Sequence, residues 1–172
     1  MKAIVAVDKK WGIGKNNGLL FSIPEDMKFF RLTTTGKTVI MGVNTLKSFP
    51  GGNPLPKRVN IVLDPSGTFH SGCITAESTA ALSDIIAPFP QDDIFVIGGA
   101  MTYHSLLPYC SEALVTKVEA DGAAEVFFDN LDEAENWECV EESDTVETNG
   151  YKIKFTKYIN SEVLPLNTEQ KK

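Results

Sequence analysis

The chain has 172 residues, 42% of them hydrophobic and 23% charged, with a formal net charge of −7. That length suits one domain with a substantial core, and the composition is that of a folded protein rather than a disordered one. The acidic balance and the lack of a basic cluster exclude nucleic acid as the expected partner. Three cysteines, Cys73, Cys110 and Cys139, stand far apart with no C-x-x-C pair, and His70 and His104 have no Cys or His at ligand spacing. A disulfide framework or a metal site is therefore not expected, and each cysteine reads as a small buried apolar residue.

In chain order, the first apolar run is "AIVAV" (3–7). It is too short for a signal peptide, and no later run reaches the roughly 20 apolar residues of a membrane-spanning helix, so a cytoplasmic protein without a membrane partner is expected. Next comes "DKKWGIGKNNGLLF", rich in Gly and Asn and nearly without periodicity. Its length marks a binding loop or lid rather than a plain connection. "FSIPEDMKFF" (21–30) then predicts a helix over 24–34. Pro24 suits a first helical turn, Ser22 and Glu25 have capping-box spacing, and Ile23, Met27 and Phe30 form an apolar stripe. Asp26 stands at the margin of that stripe, where an unpaired charge is costly.

Further apolar runs follow at 38–41, 59–63, 94–97 and 114–118, most of them continuous, as in strands buried on both faces of a parallel sheet. Helices are predicted near 43–48, over 78–87 with Ser78 or Thr79 as N-cap, and over 99–107. Strand–helix alternation of this kind predicts an α/β fold with crossover connections. The last third differs: extended segments flank Asn149-Gly150, a strong hairpin signal, with Tyr151, Ile153, Phe155 and Lys157 on one face. The expected domain is 1–160, with 161–172 a polar, frayed tail.

Open α/β sheets gather ligands at the carboxyl ends of their strands. There stand the long loop after the first strand, "MGVNTLKSF" after the second, and "FVIGGAMTY" near residue 98. The last two are strand–Gly–helix turns that could together cradle a pyrophosphate. Neither is a G-x-G-x-x-G fingerprint or a P-loop.

Assembled, these segments resemble the dihydrofolate reductase family from about Lys2 to Tyr158. The markers are "WGIGKNNGLLFSIPEDMKFF", "KTVIMGVNTLKSFP", "PLPKRVNIVL", "IFVIGGAMTYHSLLP", "LVTKVEADGAAEVFF" and the terminal hairpin, in the family's order. The resemblance implies a mostly parallel central sheet flanked by about four helices, with the antiparallel hairpin at one edge. It implies hydride transfer from C4 of a reduced nicotinamide to C6 of dihydrofolate, with protonation at N5, by a monomer.

The resemblance also assigns roles. Asp26 would hold the pterin ring and favour N5 protonation, oriented by Thr116, with Leu19 and Phe21 beside them in the catalytic set. Ile4, Val5, Ala6, Met27 and Ile97 would line the pterin pocket. Phe30, Phe49 and Leu55 would hold the p-aminobenzoyl ring, and Arg58 the substrate's carboxylate. Cofactor would lie along Ala6, Ile13, Gly14, Asn17, Gly42, Val43, Asn44, Thr45, Leu63, Asp64, Ile97, Gly98, Gly99, Ala100, Met101 and Tyr103. The family joins the two glycines by a cis peptide.

The chain departs from the family at the adenosine end. Val43, Asn44 and Met101 replace basic residues, and Asp64 stands where small hydroxyl residues often receive a 2′-phosphate. NADPH is the expected cofactor, with weakened preference and NADH admitted, because Asp64 would repel a phosphate and accept from a ribose hydroxyl. Two rivals fit less well. A riboflavin-pathway pyrimidine reductase of this fold has no use for Pro-Glu-Asp or Arg58, and a silent pterin- or nucleotide-binding module has no use for Asp26 with a complete lid.

Overall fold

The structure, a computed structural model, describes residues 1–16 and 18–166. Asn17 and residues 167–172 lie outside the described residues. Among the described residues, twelve strands and four α-helices follow one another as β1 (Lys2–Val7), β2 (Gly12–Lys15), β3 (Gly18–Leu19), α1 (Pro24–Thr34), β4 (Thr38–Gly42), α2 (Val43–Ser48), β5 (Val59–Leu63), β6 (Ile74–Ala76), α3 (Thr79–Ile86), β7 (Ile94–Gly98), α4 (Ala100–Leu106), β8 (Glu112–Val118), β9 (Val126–Phe127), β10 (Trp137–Glu142), β11 (Val146–Thr148) and β12 (Tyr151–Asn160).

The main sheet runs β10-β12-β8-β1-β7-β4-β5-β6, with β11 also paired to β12. The six strands from β8 to β6 are parallel, and β12 returns antiparallel to β8. This is the mostly parallel α/β sheet with an antiparallel edge that the sequence predicts. Successive side chains leave a strand on opposite faces, and both faces are used. Ala3, Val5 and Val7 of β1 join Ile40, Ile61 and Val96 beneath Leu82 and Ile86 of α3 and Tyr103 and Leu106 of α4. Ile4 enters a second cluster with Val39, Met41, Val62 and Phe95, against Leu46 of α2 and Phe29 and Phe30 of α1.

Local expectations fare unevenly. Ser78 caps α3, its hydroxyl accepting from Ala81 N at 3.1 Å. Asn149 and Gly150 both have positive φ, 51° and 82°, as the two-residue turn between β11 and β12 requires. The capping box at Ser22 does not form. Pro24 opens α1 and Ile23 is the N-cap without a side-chain bond, so Glu25 falls one position short of the reciprocal partner. The stripe also breaks: Ile23 is buried, Met27 is 55% exposed, and only Thr34 of the helix is fully buried.

The aperiodic loop contains β2 and β3, which pair with β9 as a separate three-stranded antiparallel sheet. β6, outside the apolar runs of the sequence, extends the parallel edge. In β12 the expected alternation slips after Ile153, and Thr156, Tyr158 and Asn160 are the buried residues. There Phe155 packs on Phe29 and Tyr158 on Trp11, so both faces are covered. Of the cysteines, Cys110 alone is buried; Cys73 is half-buried, Cys139 is exposed, and all three are free. The tail is tied down as far as it is described, with Leu164 N donating to Pro108 O and Leu166 packed on the core.

Ile61 is fully buried at the centre of β5. Ile61→Ala is expected to lower the free energy of unfolding by roughly 3 kcal/mol, through lost burial and the cavity left behind. Urea denaturation measures it, and a loss below about 1 kcal/mol would show that the core does not run unbroken across this strand.

Candidate active site

The carboxyl ends of β1, β4, β7 and β8 are neighbours because β1 pairs with both β7 and β8, and β4 pairs with β7. Ala6 stands opposite Thr116, and Met41 opposite Gly98 after a register shift. Four chain segments far apart in sequence therefore meet at one edge.

Asp26 lies in the first turn of α1, where a carboxylate favours the helix dipole. It is half-buried, with the buried Thr116 hydroxyl beside it. Burial pushes the Asp26 carboxyl above the usual Asp range, and the Thr116 hydroxyl only partly opposes that. The charge is felt nearby. Tyr103 is buried, and its pKa is pushed up by that burial and then by the Asp26 carboxylate. Its hydroxyl donates to Ile4 O at 2.7 Å, fixing α4 to β1 beside the site.

The glycine turns meet as the sequence suggests. Gly98 and Gly99 are joined by a cis peptide, with Gly98 at φ 132°. A Cβ built on Gly98 would stand 3.3 Å from Thr45 Oγ1 and 3.5 Å from the Tyr103 ring, and one on Gly42 would stand 2.8 Å from Thr102 Oγ1. A side chain on Gly42 would collide and one on Gly98 would be strained, so both turns carry bare backbone, and the Gly99 amide lies 4.0 Å from a Cβ built on Gly42. Backbone N–H groups at two such adjacent turns suit the phosphates of a dinucleotide. Ile97 and Ala100 are half-buried at that turn, as are Gly42, Val43 and Thr45 at the other. Asn44 is exposed, and Met101 is 85% exposed.

The substrate-side residues gather on the α1/α2 face. Ile4 is buried in a cluster against which Phe30, Phe49, Leu55 and Ile97 pack. Val5 points to the other face, with the opposite cluster, because it alternates with Ile4 and Ala6 along β1. Arg58 is held in place: Nε donates to Thr34 Oγ1 at 2.9 Å, Nη1 to Pro56 O at 2.9 Å and Nη2 to Thr35 Oγ1 at 3.3 Å. Each Nη keeps a second N–H, the pair that grips a carboxylate. Asn60, which sequence reasoning missed, pins the loop carrying Leu55 and Arg58. It accepts from Leu55 N and donates to Leu55 O and Arg58 O. A buried Asn opening a strand straight after a Pro-rich loop was its only signal.

Leu19 of β3 is 79% exposed, whereas Phe21 packs on Tyr151 at a ring distance of 4.9 Å. Ile13 and Gly14 lie in β2, with Gly14 paired to β9. Asp64 is not the free acceptor expected of it. It is buried beside the half-buried Leu63, its Oδ1 accepts from Ser66 N and Oγ, and its Oδ2 accepts from His70 Nε2 at 2.9 Å. The His70 bond, with Ser66 second, holds the Asp64 carboxyl below the usual range.

Two grooves of about 430 and 460 Å³ lie away from Asp26. The first contains Lys117, paired to Asp132, and Lys154, paired to Glu142. Their charges are already matched, so the perturbed carboxyl, rather than cavity size, marks the reactive place. Among the described residues, no three His, Cys, Asp or Glu side chains group as a metal site.

The raised pKa of Asp26 fixes a sign for stability. The folded protein holds this proton more tightly than the unfolded chain, so stability falls as pH rises from the ordinary value of 3.8 through the raised folded value. Asp26→Asn is therefore expected to be more stable than the parent at pH 7, the advantage vanishing below pH 3.8. Urea midpoints at the two pH values test it; equal midpoints at pH 7 would mean that burial of the carboxylate carries no cost.

A family model described as Dihydrofolate reductase matches residues 1–160. The chain is 36% identical to dihydrofolate reductase of Bacillus subtilis over 90% of its own length and 91% of the relative's. It is 37% identical to the Haemophilus influenzae protein of that name, over 78% and 79% of the two chains, and 32% identical to that of Neisseria meningitidis serogroup B, over 91% and 95%. The match runs through the glycine turns, the α1 carboxylate and the terminal hairpin alike, and the chain belongs to the dihydrofolate reductase family.

Proposed function

We propose that the Asp26 cleft reduces dihydrofolate to tetrahydrofolate, and the observation that carries this is the half-buried Asp26 carboxylate in the first turn of α1, raised in pKa by burial beside the Thr116 hydroxyl. Family membership supports the reaction class: a nicotinamide-dependent oxidoreductase acting on dihydrofolate. A reduced nicotinamide dinucleotide, when bound, supplies the hydride.

The chain's residues supply the rest. Asp26 accepts from the pterin's ring N–H and exocyclic amine, two donors in one plane that match two carboxylate oxygens. Thr116 orients it. The negative charge stabilises positive charge developing at N5, and water delivers the proton. Ile4, Phe30, Phe49 and Leu55 present apolar surface to the rings, and Arg58 offers its two remaining N–H groups to the substrate's carboxylate. Gly42, Thr45, Gly98 and Gly99 hold the cofactor's phosphates, and the 9–21 segment covers the nicotinamide end and excludes water. A protein that works as a monomer in the cytoplasm agrees with this reading. No helix among the described residues is long and apolar enough to cross a membrane.

Cofactor preference follows from the adenosine end. Val43, Asn44 and Met101 carry no charge, and Asp64 is committed to Ser66 and His70. A 2′-phosphate would meet few cations there, so NADPH is used with reduced preference and NADH is accepted.

Asp26→Asn should lower kcat at pH 7 by on the order of a hundredfold or more, with part recovered at acid pH, where substrate arrives already protonated. Loss of nicotinamide absorbance in the presence of dihydrofolate reports it; unchanged turnover at pH 7 would remove Asp26 from the mechanism. For the cofactors, kcat/KM with NADPH should exceed that with NADH by less than about a thousandfold, or ~4 kcal/mol. A larger ratio would mean that cations elsewhere serve the phosphate.

A further inference from the structure

Asp8 ends in a buried place just beyond β1. It is 3% exposed, and its side-chain partners are backbone N–H groups from two separate segments. Oδ1 accepts from Lys10 N at 2.8 Å and Gly12 N at 2.7 Å, both in the 9–21 segment. Oδ2 accepts from Gly122 N at 3.0 Å, in the connection between β8 and β9. The main chain adds Asp8 N to Gly12 O and Lys9 N to Ala120 O, at 2.9 and 3.0 Å.

Neither glycine at this junction has open space for a side chain. A Cβ on Gly12 would collide with the Ala124 side chain and stand 2.9 Å from Asp8 Oδ2; one on Gly122 would stand 2.9 Å from Leu20 Cδ1 and 3.1 Å from Phe21 Cζ. Bare backbone at both places lets the two segments close on the carboxylate. Next to it, Trp11 at φ 63° stacks on Phe128 with ring centroids 6.2 Å apart. Gly12 and Gly14 of β2 then pair with Phe127 and Val126 of β9.

We infer that Asp8 is a positioning residue: its two carboxylate oxygens clasp the 9–21 segment to the 119–125 segment and so set β2, with Ile13, over the Ala6 end of β1. This rests on the reading that Ala6 and Ile13 border the nicotinamide. Asp8 acts there through Ile13.

The carboxylate is required because every partner is a donor. An Asn at this position can keep its oxygen on Lys10 N and Gly12 N, preserving the turn, but must then set its NH2 group against the Gly122 N–H. Asp8→Asn therefore removes the Asp8 bond to Gly122 and spares the bonds to Lys10 and Gly12, while Lys9 N to Ala120 O, Glu125 N to Gly14 O and Asn16 N to Glu125 Oε1 still join the segments. A side-chain ion pair crosses the same gap from outside: Lys10 Nζ to Asp121 Oδ2 at 2.9 Å, on exposed side chains. Exposed pairs of this kind contribute little, so Lys10→Ala is a control that crosses the same gap.

Amide hydrogen exchange followed by NMR tests the clasp without any assay of turnover. In the parent protein the Gly12 and Gly122 amides should show protection within about tenfold of each other, as two groups released by one opening. Protection differing by more than that overturns the inference, and this measurement stands even if no variant folds. In Asp8→Asn the Gly122 amide should lose protection. NADPH binding, read by quenching of tryptophan fluorescence, should weaken roughly tenfold, and kcat should fall while KM for dihydrofolate stays within about twofold. Lys10→Ala should leave all three within about twofold. Unchanged NADPH affinity in an Asp8→Asn protein whose Gly122 amide has lost protection would reduce Asp8 to a structural bond and overturn the inference. A parent protein that binds NADPH yet leaves dihydrofolate unreduced would instead overturn the proposed function, leaving the exchange result to stand.

Discussion

Everything at the candidate site depends on where β1 lies. Its pairing with β7 on one side and β8 on the other brings Ala6 opposite Thr116 and sets the Gly98-Gly99 turn close by. β1 is the first strand of the chain, whereas β7 and β8 lie beyond residue 93, so these pairings close long loops, and the burial of the central strands has to offset that entropy. The Tyr103 hydroxyl on Ile4 O locks the arrangement from the α4 side with a bond inside the core.

Against that frame, α1 is packed incompletely. Phe29 and Phe30 reach the second cluster, but Met27 faces out and Asp26 is half-buried beside the Thr116 hydroxyl. A helix optimised for stability would carry apolar residues at both places. The cost falls on the surface proposed to hold the substrate's ring, the usual location of a trade between stability and activity. The glycine turns make the opposite trade. They give up side chains where Thr45, Thr102 and Tyr103 stand so close that a Cβ would meet them.

The adenosine end shows a different use of polar groups. Asp64, Ser66 and His70 satisfy one another within seven residues of chain, so a carboxylate that looks exposed and ligand-seeking in the sequence is a buried structural knot. What distinguishes this region is the absence of positive charge at Val43, Asn44 and Met101, a property of composition that folding does not alter.

The sequence by itself determined the order of five of the parallel strands and the four helices, the Asn149-Gly150 turn and the two strand–Gly–helix turns. Each is legible because it follows from local rules of period and turn chemistry. Only the tertiary structure decided which way Met27 and Leu19 face, that Ile23 and not Ser22 caps α1, that the aperiodic loop becomes a small sheet with β9, and that Asp8 joins that loop to residues 119–125. It also decided that Asp64 belongs to His70. These outcomes turn on partners far away in the chain, or on which of several competing donors reaches an oxygen first. A hydrogen bond between residues 8 and 122 leaves no periodic trace, because its geometry exists only after the sheet has brought the two ends together.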